Sequence, residues 1–113
     1  MPEEPFDLSR LNLGNIMGMA RQLQEKMEKL QQELAQKTVE ATAGGGMVTA
    51  MANGKQEILE IKISDELINM QDRQMLQDLT TAAVNEALAR SKNLMQEEMQ
   101  KLTGGIPLPG LVP

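Results

Sequence analysis

The chain has 113 residues, with no His, Cys, Trp or Tyr, one Phe and ten Met, and it sets 16 carboxylates against 11 Lys and Arg for a net charge of −5. Without His or Cys, catalysis loses its commonest general base and nucleophile, and a metal loses its commonest soft ligands. With a single aromatic there is no platform for stacking single-stranded bases, and a core of Leu, Ile, Met, Val and Ala alone is thin enough that a core shared with a second copy is expected.

The N-terminal stretch "MPEEPFDLSR" is acidic, carries two prolines and lacks a basic n-region or an apolar h-region. No run of 18 apolar residues follows it, so the expectation is a soluble, cytoplasmic protein with no membrane partner. From Ile16 the apolar residues run Ile16, Ala20, Leu23, Met27, Leu30, Leu34, a heptad stripe that predicts an amphipathic helix over about Leu13 to Gln36. Such a helix is on the order of 35 Å long. Its stripe suits either a face in an ordinary helix bundle or a coiled-coil contact. Asn12 and Asn15 are candidate N-caps, and Gly14 and Gly18 weaken the first turns.

The middle of the chain alternates. Thr38 to Ala43 sets Val39, Ala41 and Ala43 against Thr and Glu, and Met47 to Ala52 sets Val48, Ala50 and Ala52 against Met and Thr. Glu57 to Ile63 sets Leu59, Ile61 and Ile63 against Glu60 and Lys62. Three short antiparallel strands follow from this period of two. Gly44 to Gly46 supplies positive φ for the first turn, and Asn53-Gly54 is the hairpin signal of the second. The Ala-rich faces of the first two strands call for an element lying very close to them, and a three-stranded sheet with a free edge is a template for pairing.

Ser64 or Asp65 is placed to cap one helical turn that packs Leu67 and Ile68. A second long helix is expected from an Asp72 cap to about Leu102, with Leu76, Leu79, Ala83 and Ala87 on one stripe and Val84, Leu88, Leu94, Met95, Met99 and Leu102 on a neighbouring one. Gly104-Gly105 ends it, and "IPLPGLVP" is too rich in proline for helix or central strand. The result is one domain spanning 1–113: a flexible N-terminus over 1–12, a folded core over 13–103 and a Pro/Gly-rich tail over 104–113. Its order is α-β-β-β-α, an α+β fold.

No enzyme emerges. Glu57 and Glu60 have no partner groups with which to form an acid–base site, the carboxylate spacing matches no calcium loop, and "GGGM" lacks the spacing of a phosphate loop. No metal or cofactor is expected. The cations remain: Arg21, Lys26, Lys29 and Lys37 off the stripe of the first helix, and Arg73, Arg90, Lys92 and Lys101 in the second. They are interleaved with carboxylates, so pairs such as Glu25 with Lys29 and Glu33 with Lys37 are expected on solvated faces.

"LGNIMGMARQLQEKMEKLQQELAQKTVEATAGGGMVTAMANGKQEILEIKI" followed by "DLTTAAVNEALARSK" resembles the YbaB/EbfC family of bacterial nucleoid-associated proteins over most of the chain. The resemblance rests on Gly14, Asn15 and Met17, on the Gln/Met/Lys-rich helix, on "MVTAMANG" and "EILEIKI", and on Asp78, Leu79, Ala82, Ala83, Asn85, Glu86 and Ala87. It implies an intertwined homodimer with joined sheets and tweezer-like helical arms, binding duplex DNA in the nucleoid with a role in nucleoid organisation and gene regulation. Carried onto this chain, it makes Arg21, Lys26 and Lys29, then Arg90 and Lys92, the candidate DNA contacts. The period-two and heptad patterns place Leu59, Ile61, Ile63, Leu23, Met27 and Leu30 as candidate dimer contacts. A competing reading is a dimeric protein-interaction or chaperone-like adaptor that grips other proteins with Met17, Met19, Met27, Met95 and Met99.

Overall fold

The computed structural model describes residues 13–102, which form α1 (Leu13–Gln36), β1 (Thr38–Ala43), β2 (Val48–Asn53), β3 (Ile58–Ile63), a short α2 (Asp65–Asn69) and α3 (Arg73–Leu102). This is the expected α+β order, with α2 as the single capped turn. Asn12, Gly104-Gly105 and the proline-containing tail lie outside the described residues.

The strands form an antiparallel meander in the order β1-β2-β3. Ala41 stands opposite Ala50 and Ala43 opposite Val48, while Val48 faces Ile63 and Ala50 faces Ile61 across the next pair. Because side chains alternate along a strand, these residues share one face of the sheet. On that face lies α3, which meets β1 and β2 broadly and β3 only sparingly. Ala41, Ala50 and Ala52 are buried with Ala83 and Ala87 in one cluster, joined by Val48 and Leu67. Small side chains on both surfaces let backbone approach backbone, which is how an Ala-rich strand face excludes water. Burial of Val48 and Leu67 contributes about 1.5–3 kcal/mol each.

Two details depart from the sequence expectations. β2 begins at Val48 rather than Met47 and β3 at Ile58 rather than Glu57. More consequentially, a bulge separates the pairs Met51–Glu60 and Ala52–Ile58, leaving Leu59 as the extra residue. Ile58 therefore continues the face of Ile61 and Ile63 and packs against the core, in the place expected for Leu59. Because α3 hardly reaches β3, Ile61 and Ile63 stay 40% and 38% exposed.

The first turn is as expected, with Gly44, Gly45 and Gly46 at φ 65°, 66° and 93°. The second is a hairpin of another kind. The Asn53 amide donates to the Glu57 carbonyl (3.0 Å) and the Gln56 amide to the Asn53 carbonyl (3.2 Å), which encloses a three-residue loop whose left-handed residue is Gln56, φ 63°. Asn53 shapes it from within, its Oδ1 accepting from the amides of Lys55 (2.9 Å) and Glu57 (3.1 Å). Gly54 serves close approach instead: an added Cβ would lie 2.7 Å from Leu34 Cδ2 and 3.0 Å from the Leu34 carbonyl oxygen.

Both later helices start at the expected caps. Ser64 Oγ accepts from the Leu67 amide at 3.1 Å, and Asp72 Oδ1 from the Met75 amide at 3.0 Å.

Candidate nucleic-acid interface

α1 is helical because straight-chain Gln, Glu, Lys, Leu and Met dominate it, and it is amphipathic because its apolar residues recur every three or four positions. Only its base is covered. Leu30 and Leu34 are buried, Met27 is half-buried, and Leu13, Ile16, Met17, Met19 and Leu23 are exposed. The stripe that predicted a packed helix is thus used over about one turn by the chain itself and bare over the remainder.

The cations lie away from that stripe. At about 100° per residue, Arg21 and Lys29 fall roughly 80° apart on the far side of α1, with Lys26 between Lys29 and the stripe. All three are exposed, and among the described residues none forms an ion pair. The expected Glu25–Lys29 pair is therefore not formed, which leaves the ammonium free for another anion. Glu25 still projects between Arg21 and Lys29 and lowers the local potential.

The candidates on α3 divide. Lys92 is exposed and without an ion pair among the described residues. Arg90 is engaged: its Nε meets Glu86 Oε2 at 3.2 Å and its Nη1 donates to the Glu40 carbonyl at 2.6 Å. That contact ties α3 to β1 and occupies a polar group on an edge strand. Two further cations are likewise engaged. Lys37 and Lys101 both donate to Glu98 Oε2 at 3.1 Å, so Lys37 pairs across elements with Glu98 and not with Glu33. Hydrogen bonds from Lys37 and then Lys101 hold the Glu98 carboxyl below its ordinary range, against the opposing effect of burial.

Of the apolar candidates, Leu23, Leu59, Ile61 and Ile63 are exposed and Met27 half-exposed, while Leu30 is covered within its own chain. Sequence reasoning passed over Lys55 and Ser91, and took Glu98 only as one of the carboxylates interleaved with the cations. Lys55 stands exposed in the β2–β3 loop beside the base of α1, without an ion pair among the described residues. Ser91 is fully buried and Glu98 is 8% exposed. Their signal was present in the spacing, since Ala83, Ala87, Ser91 and Glu98 follow one another at steps of four, four and seven along a single helix face.

Among the described residues no three His, Cys, Asp or Glu side chains come together as a metal site, and no helix is long and apolar enough to cross a membrane. A cleft of about 340 Å³ between α2 and α3 is lined by Leu67, Ile68, Gln71, Asp72, Arg73 and Leu76. Its one carboxylate, Asp72, is already occupied in capping α3.

A three-stranded meander thus lies under one helix, and a second helix anchored at its base carries cations that form no ion pair among the described residues. Residues 9–106 match the model of the YbaB/EbfC DNA-binding family, and the chain belongs to that family. It is 49% identical over 100 residues to a nucleoid-associated protein of Thermoanaerobacter pseudethanolicus, covering 88% of this chain and 90% of the relative. To a nucleoid-associated protein of Desulfotalea psychrophila it is 48% identical over 101 residues, covering 89% and 95%. The crystal structure of an uncharacterized protein from Helicobacter pylori superposes with a TM-score of 0.75 at 19% identity, over 82% of this chain and 98% of that one, a likeness of fold.

Proposed function

We propose that this chain is a nucleoid-associated protein that binds duplex DNA as a homodimer, chiefly through phosphate contacts from its helical arms. The observation that carries the reading is the division of α1: a bare apolar stripe along one side and, off that stripe, Arg21, Lys26 and Lys29, which form no ion pairs among the described residues. An isolated helix exposing that much apolar surface is poorly supported in water, whereas a second copy would cover it and present two sets of cations. Lys92 and Lys55 are further contacts, and Arg90 contributes less because its guanidinium is already bonded.

The second copy is placed at β3. Arg90 blunts the β1 edge, while β3, the other edge strand, pairs only with β2 among the described residues and carries the half-exposed Ile61 and Ile63. Joined there, two sheets would fix the angle between two pairs of helices. An intertwined dimer of this form acts in the cytoplasm on the nucleoid, in DNA organisation and gene regulation. Phosphate contacts position a protein without reading bases, so binding is weakly selective for sequence.

The test is fluorescence anisotropy of a labelled duplex at several salt concentrations, alongside sedimentation of the free protein. If the dimer neutralises four phosphates, log affinity falls against log salt with a slope near −3.6, from about −0.9 per phosphate. Reversing Arg21, Lys26 and Lys29 to Glu abolishes binding and leaves the dimer intact. Ile61→Pro, which removes a ladder donor and an interface side chain, gives monomers. A salt-independent affinity, or a dimeric Ile61→Pro variant, contradicts the reading. Exposed Met17 and Met19 favour the protein-binding adaptor as the second reading, and absence of DNA binding even at low salt would select it.

A further inference from the structure

α1 reaches the sheet through one residue, Lys37, which lies between Gln36 at the helix end and Thr38 at the start of β1. The direction of a 24-residue helix is thus decided over a very short stretch of chain. Three sets of contacts converge there. The Gly54 amide donates to both the Leu34 carbonyl (2.8 Å) and the Lys37 carbonyl (3.0 Å), so the β2–β3 loop caps the end of α1. That loop is in turn fastened to α3 by Ser91. Beyond it, Glu98 of α3 holds Lys37, and the only other cation on its carboxylate among the described residues, Lys101, comes from its own helix.

We propose that Glu98, clamped between Lys37 and Lys101, is a positioning residue that fixes the angle of the α1 arm against α3 and thereby sets where Arg21, Lys26 and Lys29 meet DNA. Its last clause rests on the DNA-binding reading; the clamp itself does not. From Leu34 to Arg21, the outermost of the three cations, the arm is about 20 Å long, so a rotation of about 15° at its base moves Arg21 by about 5 Å. That is close to half the ~12 Å width of a major groove, enough to take cations out of register with the phosphates they meet. Gly54 holds the end of α1 by backbone alone and permits twist about that point. The Lys37–Glu98 pair, about two turns of α3 beyond Ser91, resists it from a second direction.

The absence of cysteine makes arm direction measurable, because two introduced cysteines are the only thiols to label. Nitroxides go on Gln22→Cys in α1 and Thr81→Cys in α3, both exposed positions, and labelled protein is diluted with unlabelled protein so that distances within one chain dominate. Lys37→Met and Lys101→Met each remove one positive charge, yet only the first breaks the bond between elements. The expected result is a narrow distance distribution in the parent and in Lys101→Met, and one broadened or displaced by about 5 Å in Lys37→Met, consistent with the lever above. Glu98→Gln gives the same broadening from the other side of the bond. DNA affinity falls severalfold more in Lys37→Met than in Lys101→Met, although the charge lost is equal. Unchanged distances in folded Lys37→Met and Glu98→Gln overturn the proposal. Altered distances in a protein that binds no DNA leave the clamp standing and overturn the DNA reading alone.

Discussion

Ser91 on α3 donates its hydroxyl hydrogen to the Asn53 carbonyl at 2.6 Å and accepts from the Gln56 amide at 2.9 Å, so one fully buried side chain satisfies both strands of the β2–β3 loop. The loop carries a left-handed Gln56, a conformation that costs free energy in a residue with a side chain, and Ser91 is what holds it there. Ser91→Ala removes that partner and leaves the Asn53 carbonyl and the Gln56 amide only their 3.2 Å bond to each other. The expected loss is about 0.5–1.5 kcal/mol, read as a lower urea midpoint at fixed protein concentration.

Gly54→Ala tests close approach and not backbone freedom. The new methyl would press on Leu34 at its Cδ2, its Cα (3.2 Å) and its carbonyl oxygen, and the last two cannot swing aside. Overpacking of this kind costs about 1–3 kcal/mol, and the bond from the Gly54 amide to α1 lengthens or breaks. Faster amide exchange at residue 54 with a lowered melting temperature is the expected outcome; unchanged stability would mean that the loop relaxes freely.

The small-on-small contact of helix and sheet is tested by volume. Ala87→Leu forces three extra carbons between α3 and the strands, whereas Ala89→Leu, on an exposed position of the same helix, adds them to solvent. The first variant is destabilised by about 1–3 kcal/mol or more and the second is near neutral. Thermal melts of the two against the parent separate packing from helix propensity.

Acid sensitivity follows from Glu98. Its folded carboxyl lies below the ordinary value of 4.5 because of Lys37 and Lys101, so the unfolded chain takes up the proton first. The contribution is fully present above the unfolded value and is lost as pH falls through the lowered folded value. Denaturation of the parent and of Glu98→Gln is therefore expected to differ by a constant amount above about pH 5, and by progressively less on acidification below 4.5. A difference independent of pH would show that the carboxylate charge is not what the lysines hold.

Local chemistry was legible in the sequence wherever it acts on near neighbours. The limits of α1, the caps Ser64 and Asp72, the three strands and the triple-glycine turn all follow from spacing and from residues acting within about four positions of themselves. The Ala faces of β1 and β2 even announced a closely packed helix. Contacts between distant parts of the chain were not legible, because nothing local names the partner. Lys37 looked like a mate for Glu33 and belongs to Glu98. Arg90 looked free and bonds Glu40, fifty residues away. Asn53-Gly54 marked a hairpin correctly but for the wrong reason, since Gly54 is required by the approach of Leu34 and the left-handed residue is Gln56. The same limit explains α1: the heptad stripe established that the helix has an apolar face, while only the tertiary structure decided that its own chain covers Leu30 and Leu34 and leaves the arm bare. A side chain's periodicity fixes its direction, but its neighbour is fixed by where the rest of the chain folds.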